Sequence, residues 1–249
     1  DNAGTAITEG TRNTAVGHSA LATDTTAIRN TAIGYQALTA NTSGAQNTAV
    51  GDISLYTNTT GTNNTAIGGS ALGANTTGSS NVAVGMNALD ANTTASYNTA
   101  IGTSSLGGNT TGEGNTALGT DALRINTTGT RNTSTGTNSL DANTTGNYNT
   151  ANGYNSLSSN TTAEGNSAFG DYSLYYTTTG ASNTGLGKSS LQQNTTGANN
   201  TAVGYYSLLY NTTGADNTGI GYKALEANTT GGSNSAFGRY ALGSNTTAS

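Results

Sequence analysis

Asn13-Thr14-Ala15-Val16-Gly17 returns as Asn30-Thr31-Ala32-Ile33-Gly34 and as Asn47-Thr48-Ala49-Val50-Gly51. It recurs every 17 residues until Asn234-Ser235-Ala236-Phe237-Gly238. Fourteen copies start between Asn13 and Asn234 without one insertion or deletion. Numbered from that Asn, the consensus is N-T-A-V-G-x-x-A-L-x-x-N-T-T-G-x-x. A fixed period of this kind marks stacked units, each too small to hold a core of its own. The expectation is a single β-solenoid over residues 1–249. Fourteen seventeen-residue repeats cover 13–249, preceded by a partial repeat over 1–12.

Four repeat positions are the same in all fourteen copies: Asn at position 1 (Asn13, Asn30, Asn47 onward), Gly at 5 (Gly17, Gly34, Gly51), Leu at 9 (Leu21, Leu38, Leu55) and Thr at 13 (Thr25, Thr42, Thr59). Position 8 is always Ala or Ser. Position 12 is Asn except at Asp24 and Thr177, and position 14 is Thr except at Ser43. Position 4 is apolar except at Thr135 and Asn152. Positions 6, 7, 10, 11, 16 and 17 vary freely. Few fixed inward sites and many free outward ones are what a thin coil would show.

Seventeen residues cannot hold two ordinary helices. Thr, Asn and Gly are poor helix formers, and one unvarying Leu per repeat makes no 3.6-residue stripe. The period therefore predicts an all-β fold, a parallel β-solenoid or β-roll with one repeat per coil, built of short strands and tight turns. Gly at positions 5 and 15 suits corners that need positive φ or close backbone approach. Stacked coils place each residue about 4.8 Å above its counterpart, so fourteen coils predict a rod of roughly 70 Å. Asn over Asn and Thr over Thr then form hydrogen-bonded ladders.

Composition closes other routes. The chain has 36 Gly and no Pro, Cys or Trp, and Ile, Leu, Val and Phe together make about 13% of it. A core of large side chains is excluded. No 18-residue apolar run exists, so nothing inserts in a membrane. Seven Lys and Arg spread along a chain of net charge -5 argue against nucleic acid. The absence of Cys removes disulfides and thiol chemistry. The chain begins at Asp1, at repeat position 6, and is expected to be a mature product or a piece of something longer.

Nothing points to an enzyme, a cofactor or a metal. His18, the single His, sits at a variable position. The acids do not stack: Asp52 and Asp171 share position 6 seven coils apart, and Asp90 and Asp141 share position 10 three coils apart. Ser182–Ser189 approaches a phosphate-binding loop, but Ser182 replaces the first Gly and no helix-forming segment follows. The Asn-Thr-Thr segments, such as Asn58-Thr59-Thr60, are formal glycosylation sequons whose period has a simpler cause in ladder formation.

Two surface features remain. In the strand at positions 2–4, Thr and Val share one face and Ala takes the other. If the coil closes around Leu and Ala, position 4 becomes an exposed apolar stripe that packing three rods together would bury. If position 4 also points inward, the rod is monomeric. Tyr is the second feature. Tyr172, Tyr175, Tyr176, Tyr205, Tyr206, Tyr210, Tyr222 and Tyr240, eight of the 13, fall on variable positions between residues 172 and 240. They form either a recognition cluster or packing at a subunit interface.

The motif N-[TS]-A-[VIL]-G, followed two residues later by a small residue and Leu (Ala20-Leu21 in the first copy), resembles the head repeats of YadA-type trimeric autotransporter adhesins. It is also similar to related repeats in bacteriophage tail fibres. The resemblance covers Asn13 through Ser249. The family's repeats are a few residues shorter, and this one adds an Asn-Thr-Thr-Gly turn. The resemblance implies a left-handed roll in a homotrimer or fibre of identical chains. It also implies an extracellular place on a cell surface or virion, and attachment to surface glycans or proteins. The alternative function is an ice-binding β-solenoid with Thr ladders at positions 2, 13 and 14. There, positions 12 and 14 are expected to share a face, giving Asn and Thr where two Thr columns are needed.

Overall fold

The computed structural model describes residues 2–249, all in one expected class: a parallel β-solenoid with a 17-residue coil, with no helix among the described residues. The chain divides into two compact units, Asp1–Thr128 and Gly129–Ser249. The first holds seven three-residue strands: β1 (Thr14–Val16), β2 (Thr31–Ile33), β3 (Thr48–Val50), β4 (Thr65–Ile67), β5 (Val82–Val84), β6 (Thr99–Ile101) and β7 (Thr116–Leu118). The second holds β8 (Thr133–Thr135), β9 (Thr150–Asn152), β10 (Ser167–Phe169), β11 (Thr184–Leu186), β12 (Thr201–Val203), β13 (Thr218–Ile220) and β14 (Ser235–Phe237).

Within each unit, sequential strands pair in parallel, with every residue beside its counterpart one repeat away. Thr14 faces Thr31, Ala15 faces Ala32 and Val16 faces Ile33. In the second unit Thr201 faces Thr218 and Val203 faces Ile220.

Each coil has one strand rather than several, and the rest is turn and bend. The cause is a left-handed backbone at four positions. Gly at position 5 takes φ between 121 and 142°, and Leu at position 9 takes φ between 48 and 54°. Positions 7 and 17 are also left-handed, as at Gln36 (φ 52°) and Gln46 (φ 60°). Extended runs cannot continue through such residues, yet coil-to-coil hydrogen bonding does. The Gly34 amide donates to Val16 O at 2.8 Å, Gln36 to His18 O at 2.8 Å, Leu38 to Ser54 O at 3.0 Å and Thr42 to Thr59 O at 3.0 Å.

Position 5 needs Gly twice over. Its φ is one that L side chains avoid, and a Cβ on Gly51 would stand 2.6 Å from Gly68 O. Position 15 needs it less: no left-handed φ occurs at Gly44, and Ala27, Ala95 and Ala163 stand buried at the same place.

The interior is thin. It contains Leu of position 9, Ala of position 3 and Ala or Ser of position 8, fully buried in the inner coils, as at Ala32, Ala37 and Leu38, and uncovered in the last coil at Leu242. Position 8 Ser donates to the position 5 carbonyl, as from Ser105 to Gly102 at 2.9 Å. Larger polar pairs are accommodated by Gly at position 3. A Cβ on Gly185 would lie 2.5 Å from Ser173 Oγ and 2.9 Å from Ser190 Oγ, which hydrogen-bond each other at 2.9 Å.

Asn of positions 1 and 12 fills the remainder. Asn30 Oδ1 accepts from the Asn47 amide at 2.9 Å, and Asn30 Nδ2 donates to Gly44 O at 2.8 Å. At position 12, Asn58 Nδ2 donates to Asn41 Oδ1 at 2.9 Å and to Gly61 O at 3.1 Å; Asn75 then donates to Asn58 at 2.8 Å. Thr59 Oγ1 donates to Thr76 O at 3.0 Å. Only a side chain with both a donor and an acceptor continues the Asn ladders.

Position 12 is therefore buried while position 14 is exposed, as at Asn58 and Thr60. The two do not share a face, because Asn-Thr-Thr-Gly is a turn wound around its Asn, without the alternation of a strand.

Candidate functional site

The pleat puts Ala of position 3 inward, so positions 2 and 4 face out. In the first unit Val16 is 56% exposed, Ile33 39% and Ile67 40%. In the second, Phe169, Leu186 and Ile220 form the same kind of row, preceded by the polar Thr135 and Asn152. Each unit carries an apolar column flanked by half-exposed Thr of position 2.

The corner after position 5 builds the second surface. Its left-handed turn swings position 6 outward and leaves position 7 half-buried beside it in most coils, and coil stacking turns each into a column. In the last four coils of the second unit, column 6 reads Lys188, Tyr205, Tyr222, Arg239 and column 7 reads Ser189, Tyr206, Lys223, Tyr240. The rings lie close. Tyr205 and Tyr222 are parallel-stacked with centroids 5.8 Å apart and planes 17° apart, and Tyr205 and Tyr206 are 3.8 Å apart at 30°. Tyr222 meets Tyr240 edge-on at 5.3 Å.

Cations interleave with the rings. Lys223 Nζ lies 5.7 Å from the Tyr206 centroid and 5.8 Å from that of Tyr222. The Arg239 guanidinium lies 4.9 Å from Tyr240 and 5.5 Å from Tyr222. Such contacts attract through the ring quadrupole. Lys223 also pairs with Glu226 Oε1 at 2.9 Å, which holds its ammonium above the usual lysine range. Tyr205's phenol is pushed up, first by its hydrogen bond with Tyr206 and then by desolvation.

Tyr172, Tyr175 and Tyr176 form a separate edge-to-face chain with Tyr154: 5.5 Å from Tyr154 to Tyr172, 5.5 Å from Tyr172 to Tyr175 and 4.5 Å from Tyr175 to Tyr176. Tyr210 is half exposed and stacks in neither cluster. The eight tyrosines thus make two patches and one outlier.

The sequence places Lys188 only in the near-miss loop and does not group it with Lys223 and Arg239, because cations 16 to 35 residues apart look scattered. Written as columns of period 17, they fall beside the tyrosines. The same column rule accounts for His18, whose ring stacks on Tyr35 at 5.5 Å and 11°.

Other candidates resolve plainly. The Ser182–Ser189 segment contains β11 and the Gly187 corner at φ 130°, a coil like its neighbours. Sequon Asn such as Asn58 and Asn75 are fully buried with both amide hydrogens engaged, out of reach of a modifying enzyme in the folded coil. Among the described residues, no group of three or more His, Asp or Glu is placed to hold a metal ion.

No protein-family model matches the chain, and no curated protein matches it.

Proposed function

We propose that this chain is a structural and adhesive segment of an extracellular fibre, a stiff solenoid carried on a cell surface or virion for attachment. The observation that carries this reading is the division of labour within the coil. The fixed Asn, Leu and Thr are consumed in ladders and core, while the freely varying columns lie at the surface, for the most part exposed at 6 and half-buried at 7, and collect aromatic rings. A scaffold of that kind presents side chains without spending any on chemistry. Its partners are copies of itself and surface glycans or proteins, and it works without cofactor, nucleic acid or membrane insertion.

Association into a homotrimer follows from the outward column at position 4. A long apolar row is rarely left bare in water, and side-by-side packing about a common axis covers it without using columns 6 and 7.

The test is replacement of Tyr205, Tyr206 and Tyr222 by Ser, with adhesion to glycan-coated or cell surfaces as readout. Lost adhesion at unchanged β content and oligomer size supports the reading, and unchanged adhesion removes these residues from the binding surface. Ice binding is the competing function, favoured by the in-register Thr column at position 2. It is weakened by position 13, where hydroxyls donate to neighbouring carbonyls. Thermal hysteresis in dilute solution would decide for it.

A further inference from the structure

We infer that columns 6 and 7 of the last four coils form a binding site for an acidic polysaccharide, with sugar rings on the tyrosine faces and their carboxylates or sulfates at Lys223, Arg239 and Lys188. This rests on the adhesive reading above and names the ligand class.

Three observations converge. The first is geometric. Tyr205 and Tyr222 present parallel rings one coil apart, and Tyr240 closes the row edge-on. The coil rise is about 4.8 Å, comparable to the advance of one pyranose along an extended glycan. Tyr206 covers one face of Tyr205 and Tyr205 overlaps Tyr222, so a sugar packs on the faces and edges that the stack leaves open, at low side-chain entropy cost. All three rings are accessible: Tyr205 is 37% exposed, Tyr222 38% and Tyr240 50%.

The second is charge. The chain as a whole carries -5. Yet in coils 11–14 the two columns hold Lys188, Lys223 and Arg239 and no acid. Glu226, at position 10, offsets part of Lys223's charge. Among the described residues neither Lys188 nor Arg239 has an ion-pair partner. A cation stands at each end of the Tyr205–Tyr222 stack in column 6, and one stands between the rings of column 7.

The third is pre-organisation. Tyr206, Lys223 and Tyr240 occupy the left-handed position 7 (φ 58 to 59°), where the backbone is held by amide bonds to the preceding coil, such as Lys223 to Tyr205 O at 3.0 Å. The ring–cation contacts keep Lys223 and Arg239 over the aromatic surface, where an anion would gain charge-assisted hydrogen bonds. A neutral glycan would leave both cations without an anionic partner. Single-stranded nucleic acid would need a longer basic track to follow its backbone.

The experiment is calorimetric titration of the full chain with a galacturonate hexamer, with neutral cellohexaose and with a thymidine hexanucleotide. The acidic sugar is expected to bind at least tenfold more tightly than the neutral one at low ionic strength, with the gap shrinking as salt is added. The double substitution Lys223→Gln with Arg239→Gln should abolish that preference, so that the variant binds the two sugars equally. Tyr205→Ser with Tyr222→Ser should weaken both sugars. Arg239, Tyr205 and Tyr222 are exposed and Lys223 is half-buried at the surface; circular dichroism checks folding, and the salt dependence of the unaltered chain needs no variant. Equal binding of the two sugars, or a preference that survives the double substitution, overturns the acidic class and leaves the adhesive reading intact. Tighter binding of the oligonucleotide overturns it in favour of nucleic acid. Binding of no hexamer overturns it too, while adhesion of the Tyr variants to cells judges the adhesive reading separately.

Discussion

Asn160 Oδ1 is buried without a hydrogen-bond partner because Thr177 stands one coil above it, where almost every other coil has Asn. Elsewhere the Asn of the next coil donates back down to the acceptor below it, as Asn228 does to Asn211 at 2.8 Å. Thr177 offers no amide hydrogen, and above it Asn194 Nδ2 reaches only a distant Thr177 Oγ1 at 3.5 Å.

Thr177→Asn should therefore stabilise the second unit. Giving a buried orphan acceptor its donor is worth about 1 kcal/mol. Urea unfolding, with amide exchange around Asn160 as a local readout, should show greater protection in the variant. Unchanged or reduced protection would mean that the ladder break is already compensated.

Asp24 is the other departure at position 12. Burial pushes its carboxyl up, opposed in part by the Ala27 amide, the Asn30 side chain and the Thr26 amide. A carboxyl raised in the fold binds its proton more tightly there than in the unfolded chain. Stability it contributes is present at low pH and lost as pH rises through the ordinary carboxylate range to its folded pKa. Asp24→Asn should remove that loss, so the variant's advantage grows with pH over this window and levels off near neutrality. Melting curves of both proteins from pH 3 to 7, compared as differences, check this.

Ile53 is a β-branched residue held at φ 47°, where Asn87, Asn138 and Asn155 occupy the equivalent place. Asn is at ease in this region and Ile is not. Ile53→Asn should gain about 1 kcal/mol. A fall in melting temperature would show that Ile53 contributes more through packing than it loses in strain.

Gly51→Ala and Gly44→Ala should separate sharply. At Gly51 the new Cβ meets Gly68 O at 2.6 Å on a backbone of φ 137°, so a loss of about 3 kcal/mol or more is expected. At Gly44 the contact, 2.3 Å from Gly61 O, is as short, yet Ala27, Ala95 and Ala163 sit in equivalent coils. There a small shift suffices, and the cost should be near 1 kcal/mol. Similar costs at the two sites would show that overlap, not φ, governs both.

Ile33→Asn with Ile67→Asn tests the outward column. Asn152 already stands at this position in β9. Both Ile face solvent in the single chain, so its β content and intrinsic stability should move by no more than about 0.5 kcal/mol per site. Light scattering should register a trimer for the unaltered chain at micromolar concentration and a monomer for the variant. A monomer in both cases ends the trimer proposal.

The period of 17 is legible because each coil repeats the same steric problem, so Asn, Gly, Leu and Thr recur wherever the answer admits one residue type. The parallel stack, the inward Leu21 and Ala32, and the Gly corners at position 5 all follow from that recurrence. The left-handed Leu is not legible. No local preference places Leu21 or Leu38 at φ 52 to 54°; it is imposed because only that turn drops the side chain into the space between stacked coils, where burial outweighs strain. Whether position 4 faced in or out was likewise open, since alternation gives two faces and no sign. The narrow interior decided it: with Leu, Ala and two buried Asn already inside, no volume remained for Val16 or Ile33. The tyrosine–cation lattice belongs to the same class of fact. Tyr205, Tyr222 and Arg239 are far apart along the chain, and only the stacking of coils makes them neighbours.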